Sequence, residues 1–253
     1  MMPEPVLLKL GGSIVTDKRG ECAVNQEALA RCAATLAQQG FSGLVVHGAG
    51  SCGHPEAQRY GIARGVTREN REGITVTHEA VGSLNRAFVN ALRAAGIEAI
   101  GVHPLACCTA EAGRIVSFEL EPLRLLLDLG CVPVLHGDVV MDRARGACIV
   151  SGDQLVSYLA PRLGFTRIGL ATDVQGVLAD GAVVPRLTRR LVADLAIGAS
   201  STMDVTGGMA GKVNELLALA DAGASSHVFA LDRLDDFLAG APHGGTEIVP
   251  EGA

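Results

Sequence analysis

Of the 21 basic side chains in this sequence only three are lysine, Lys9, Lys18 and Lys212; the remaining 18 are arginine. All three lysines sit in or beside glycine-rich segments. Lys9 closes an apolar run and precedes Leu10-Gly11-Gly12-Ser13, Lys18 lies just beyond that turn, and Lys212 ends the stretch Asp204-Val205-Thr206-Gly207-Gly208-Met209-Ala210-Gly211. Glycines let backbone N–H groups approach an anion closely, and an ammonium in an apolar strand is costly to bury without an anionic partner. A compact, flexible ammonium also follows a phosphoryl group in transit better than a planar guanidinium does. The chemistry these residues suit is phosphate binding and transfer. The last segment is not a P-loop, which would need glycine at Thr206 and a hydroxyl at Val213.

Four further clusters carry polar groups. Gly48-Ala49-Gly50-Ser51-Cys52-Gly53-His54 leads into a helix, with His54 about one turn in, where it can donate to an anion held by the preceding amides. The same glycines satisfy GxGxxG, so a dinucleotide site competes. A Rossmann fingerprint, however, belongs to the first βαβ unit and expects an acidic residue after the next strand, whereas a polar arginine-rich stretch at 59–73 and a helix follow here. His136-Gly137-Asp138, Ser151-Gly152-Asp153 and Thr172-Asp173 are the other three. Their bland reading is as caps and turns, strongest for Asp153.

These clusters need a scaffold. Apolar runs at 5–12, 43–47, 97–102, 131–137, 166–172 and 225–231 read as strands. Segments of helical period at 25–38, 120–129, 153–163 and 208–222 alternate with them, as does a long helix at 74–95 carrying Val81, Leu84, Phe88 and Leu92 on one face. Residues 139–150 read as a hairpin. Continuous apolar strands joined by helices imply α/β architecture, a three-layer αβα sandwich around a mainly parallel sheet, and with no linker in 253 residues a single domain over 1–253 is expected. Open sheets of this kind bind ligands at the carboxyl ends of their strands, where the glycine clusters fall.

A net charge of −6 and no basic run argue against nucleic acid or an anionic membrane as partner, and a small molecule is expected. No apolar stretch reaches the ~18 residues of a membrane span. Seven cysteines without CxxC spacing suggest neither a disulfide framework nor a zinc site, and the start lacks a basic n-region, so a reducing, cytoplasmic setting is expected.

The set KLGGS, HGAGSCGHP, HGD, SGDQL, TDVQGV and DVTGGMAGKV, in this order across residues 9–213, resembles the amino acid kinase superfamily, and within it the isopentenyl phosphate kinases. The more specific pieces are the histidine of HGAGSxGH and the lysine of SIVTDK. The resemblance implies an αβα fold, commonly a homodimer, with ATP and its Mg²⁺ over the C-terminal half and the phosphate acceptor over the N-terminal half. It also implies that Lys9, Gly11, Gly12 and Ser13 hold the nucleotide phosphates, with Gly50 beside them, and that Lys212, Gly207 and Gly208 bind from the opposite side. Asp153 would orient the lysines, Asp173 would lie near the nucleotide, and Ala49, Gly50, His54 and Gly137 would bind the acceptor phosphate. Lys18 would stabilise the transferring group; no protein-held metal is implied.

The sequence departs from the family pattern at Cys52, where phenylalanine is usual, at Gln175, where an acid is common, and in the short segment 178–184. The reaction implied is ATP-dependent phosphorylation of isopentenyl phosphate to the diphosphate. The alternative within the class is a kinase for another small phosphate or phosphonate such as fosfomycin. The acceptor's apolar tail would lie along the helix at 74–95, against Val81, Leu84 and Phe88 unless these are core. Asp138 would stand behind the acceptor site.

Overall fold

The strands Val6–Leu10, Gly43–His47 and Val132–His136 are buried at every position. A strand with no solvent face must be covered on both sides, which is the condition of a parallel sheet joined by helical crossovers. In the computed structural model, which describes residues 4–16, 22–197, 203–204 and 208–253, these strands lie in an eight-stranded sheet. Its order is Arg186–Leu187, Thr246–Ile248, Ser226–Ala230, Arg167–Thr172, Val6–Leu10, Gly43–His47, Val132–His136, Ala99–Gly101. Every neighbouring pair is parallel except Ser226–Ala230 with Thr246–Ile248.

Side chains alternate across a strand, and the alternation at Val6–Leu10 sorts the core. Val6, Leu8 and Leu10 join one apolar cluster with Leu29 and Leu36 of the helix Gln26–Gln38 and Leu84, Phe88 and Leu92 of the helix Glu72–Ala94. Leu7 joins the other, with Leu155 and Leu159 of the helix Gly152–Leu163 and Leu216 of the helix Gly208–Asp221. Helix, sheet, helix is thus the three-layer sandwich the sequence implies. The same parity turns Lys9 toward the Leu7 side, where the second pair of helices begins.

Several elements are not legible in the sequence. The hairpin expected at 139–150 is Asp138–Asp142 with Gly146–Val150, and it extends into a four-stranded sheet through a second hairpin, Cys108–Glu111 with Arg114–Phe118. The short strands Leu178–Ala179, Ala182–Val183 and Met203–Asp204 form a third sheet. Strands of two to five residues carry too little periodicity to be read. The cysteine reading needs correction: Cys22 and Cys52 form a disulfide, while Cys32, Cys107, Cys108, Cys131 and Cys148 are free. One pair 30 residues apart leaves no spacing signature. The bridge between Thr16 and Val24 and the helix starting at Gly50 bring the two together. Among the described residues no helix is long and apolar enough to cross a membrane.

Candidate active site

The carboxyl ends of the central strands open into a cavity of about 910 Å³. Lys9 reaches it from the end of its strand, and the turn that follows supplies Gly11, Gly12 and Ser13. Across the cavity the strand Arg167–Thr172 leads to Asp173, and the helix Gly208–Asp221 presents Lys212 about one turn from its start. Asp153 lies in the first turn of the helix Gly152–Leu163, whose start is fixed by Ser151 Oγ accepting from the Gln154 N–H at 3.1 Å.

These three charged side chains meet at one atom. Lys9 Nζ is 2.9 Å and Lys212 Nζ 3.3 Å from Asp153 Oδ1. Both lysines are buried. Burial pushes the Asp153 carboxyl up, but the charges of Lys9 and Lys212 outweigh it and hold the group below its ordinary value. Burial and the Lys9 charge push Lys212 down to about 8 against the pull of Asp153. Two ammonium groups on one carboxylate leave an uncompensated positive charge at the cavity floor, which suits a polyanion.

Two loops form an amide wall beside the lysines. The turn at Gly11–Gly12 touches the loop at Gly48–Gly50 backbone to backbone, so closely that a Cβ on Gly48 would fall 2.7 Å from Gly12 N. Thr16 staples the two: its hydroxyl donates to Gly12 O at 2.9 Å and accepts from the Ser51 N–H at 3.0 Å. Ala49, Gly50 and Gly137 line the cavity, and His54, exposed on the helix Gly50–Arg59, stands at its edge. The backbone therefore offers N–H groups where an anion would sit.

Of the residues singled out in the sequence, Lys9, Gly11, Gly12, Ser13, Ala49, Gly50, His54, Gly137, Asp153, Asp173 and Lys212 share this cavity. Gly208 begins the helix of Lys212. Lys18 and Gly207 lie outside the described residues. Of the apolar candidates, Val81 faces the cavity with Thr77, Ala57 and Ile149, whereas Leu84 and Phe88 are core.

Asp138, expected behind the site, is itself part of the wall. Its buried carboxylate accepts from His78 Nδ1 at 3.1 Å and from the Leu105 N–H at 3.1 Å, and burial raises its pKa against those bonds. Sequence reasoning did not find Thr16, His78 or Glu215. Glu215 lines the cavity one turn beyond Lys212, accepts from Ser157 Oγ at 2.7 Å, and pairs with Arg114. Thr16 lies within SIVTDK, where only the lysine stood out; no local motif surrounds His78 or Glu215, and only the tertiary contacts give the three a role.

A match to the amino acid kinase family covers residues 4–230. The chain is 45% identical over 242 residues to the isopentenyl phosphate kinase of Haloferax volcanii, spanning 94% of this chain and 96% of that one. It is 39% identical over 238 residues to the isopentenyl phosphate kinase of Methanothermobacter thermautotrophicus, spanning 88% and 90%. A crystal structure described as isopentenyl phosphate kinase superposes with a TM-score of 0.85 at 33% identity, covering 97% of this chain and all of the other.

Proposed function

The chain belongs to the amino acid kinase family, and on that premise we propose that it transfers the γ-phosphoryl group of ATP to isopentenyl phosphate, giving isopentenyl diphosphate and ADP. The observation that carries this reading is the pair of buried lysines on Asp153 facing an amide wall and His54, with Val81, Ala57 and Ile149 beside it for a short apolar tail. The relatives named isopentenyl phosphate kinase support the same acceptor.

The acceptor's second pKa is about 6, so at neutral pH it is largely a dianion and a competent nucleophile without a strong base. One of its oxygens forms a bond to the γ-phosphorus as the bond from that phosphorus to the β,γ-bridging oxygen breaks, and no proton needs to move. The obstacle is repulsion between two polyanions, and the residues answer it. Lys9 and the amides of Gly12 and Ser13 hold the β- and γ-phosphates from the sheet side, with Gly50 beside them; Gly11, whose N–H donates to Ala171 O at 2.9 Å, lets the phosphates come close to the turn, and Lys212, with Gly207 and Gly208, binds from the other side. Asp153 fixes the separation of the two ammonium groups. Ala49, Gly50 and His54 hold the acceptor phosphate in line, Gly137, which lines the cavity with its N–H given to His47 O, leaves room for it, Lys18 accompanies the transferring group, and Asp173 lies near the nucleotide.

Mg²⁺ supplies further charge neutralisation and is best carried by the nucleotide phosphates. Asp153 is committed to the lysines and Asp138 to His78. One domain over residues 1–253, a homodimer and a cytoplasmic setting complete the reading.

The test is ³¹P NMR with Mg²⁺-ATP and, in separate tubes, isopentenyl phosphate, dimethylallyl phosphate and fosfomycin. New diphosphate resonances matched by ADP in the prenyl tubes are expected. Product with fosfomycin alone would keep the chemistry and overturn the acceptor.

A further inference from the structure

Two buried histidines that no step above uses stand side by side at the strand ends under the acceptor wall. His47 and His136 are register partners on adjacent parallel strands, both fully buried, their rings stacked with centroids 5.6 Å apart. Each is followed by a cavity-lining glycine, and each ring folds forward onto that glycine's carbonyl. His47 Nδ1 is 3.0 Å from Gly48 O, and His136 Nδ1 is 3.1 Å from Gly137 O.

A carbonyl oxygen only accepts, so both Nδ1 atoms carry a proton. The opposite nitrogens are fixed accordingly. His47 Nε2 accepts from Asn85 Nδ2 at 3.2 Å, and that amide also donates to Val134 O at 3.1 Å. His136 Nε2 accepts from His103 Nδ1 at 2.8 Å. Burial lowers the pKa of His47 to about 4 and of His136 to about 2, which keeps both rings neutral in the working range.

The consequence lies in the peptide planes. In a planar trans peptide the carbonyl and the following N–H point in opposite directions. The glycine amides are already spent: the Gly48 N–H donates to Leu10 O and the Gly137 N–H to His47 O, both at 3.0 Å. With the Gly48 carbonyl held against the His47 ring, the N–H of Ala49 is turned away from the ring, and Ala49 itself lines the cavity. Glycine lacks a Cβ and would otherwise rotate freely here.

We infer that His47 and His136 are positioning residues for the acceptor: each locks the peptide after its glycine, and His47 thereby aims the Ala49 amide at the acceptor phosphate. This rests on the acceptor side proposed above.

Three measurements decide it. In wild-type protein carrying ¹⁵N-histidine, the resonances lost in His47→Asn and His136→Asn should report neutral, Nδ1-protonated rings from pH 6 to 8; Nε2-protonated rings would overturn the inference whatever the acceptor. In kinetics, His47→Leu should raise the KM of the phosphate acceptor about tenfold or more while leaving the ATP KM within about twofold. His47→Asn, whose Nδ2–H occupies the place of Nδ1–H, should recover most of that loss. A folded His47→Leu with unchanged acceptor KM, or equal losses for both substrates in both variants, would sink the idea. The split is read with whichever acceptor the ³¹P panel shows to be phosphorylated, so failure with isopentenyl phosphate alone counts against the substrate and not against the positioning role.

Discussion

Lys9 and Lys212, from opposite ends of the chain, converge on a single oxygen, Oδ1 of Asp153, at 2.9 and 3.3 Å. The Asp153 charge raises the Lys212 pKa, which burial has brought down to about 8. Protonated Lys212 is the form that binds phosphate, so kcat/KM for ATP should fall as pH rises through about 8. Asp153→Asn removes the raising influence, so the alkaline limb should move to lower pH and activity at pH 7.5 should drop on the order of a hundredfold. A pH–rate profile of the two proteins checks both statements.

Replacing either ammonium by an isosteric apolar chain tests charge against packing. Lys9→Met and Lys212→Met should fold and should lose on the order of a hundredfold or more in kcat, since the interaction matters most as charge shifts in the transition state. Circular dichroism alongside steady-state kinetics separates the two effects; a folded Lys9→Met enzyme with normal turnover would remove Lys9 from the site.

His54 stands on the amide side of the cavity, away from the lysine pair in sequence and on another helix. His54→Ala is expected to raise the acceptor KM with little change for ATP. Movement of the ATP KM alone would mean that the acceptor and nucleotide halves have been exchanged.

Asp142 holds the two hairpins of the four-stranded sheet together. Its carboxylate accepts from the amides of Ala112, Gly113, Ala144 and Arg145 at 2.7–3.1 Å. Burial pushes its pKa up, but these bonds outweigh it and hold it down to about 2. A depressed carboxylate contributes stability that is complete above its ordinary pKa near ~4 and is lost as pH falls toward the folded value. Asp142→Asn should cost about 1–3 kcal/mol at pH 7. The gap from wild type should close between about pH 4 and 2 in denaturant titrations.

The Cys22–Cys52 bond leaves five thiols. Protein purified without reductant and unfolded in guanidinium should titrate five thiols, and seven after reduction. Seven without reduction would restore the expectation of an all-thiol chain.

The sequence by itself determined the sandwich, because unbroken apolar strands such as Val6–Leu10 and Gly43–His47 have no solvent face and must be covered by helices on both sides. It also determined the phosphate chemistry, because lysine beside glycine is a local signal that survives without coordinates. The tertiary structure alone decided which groups meet. By its local sequence Asp153 reads as a helix cap, and only the family resemblance ties it to the lysines; the fold brings Lys9 and Lys212 to its oxygen from distant segments. Leu84 and Phe88 share a helix face with Val81, yet they are core while Val81 faces the cavity. His47 and His136 look like ordinary strand-end histidines until the parallel register stacks them under two glycine carbonyls. Periodicity fixes which side of an element a residue faces, but register and crossover set what lies opposite, and those depend on the whole chain closing around its core.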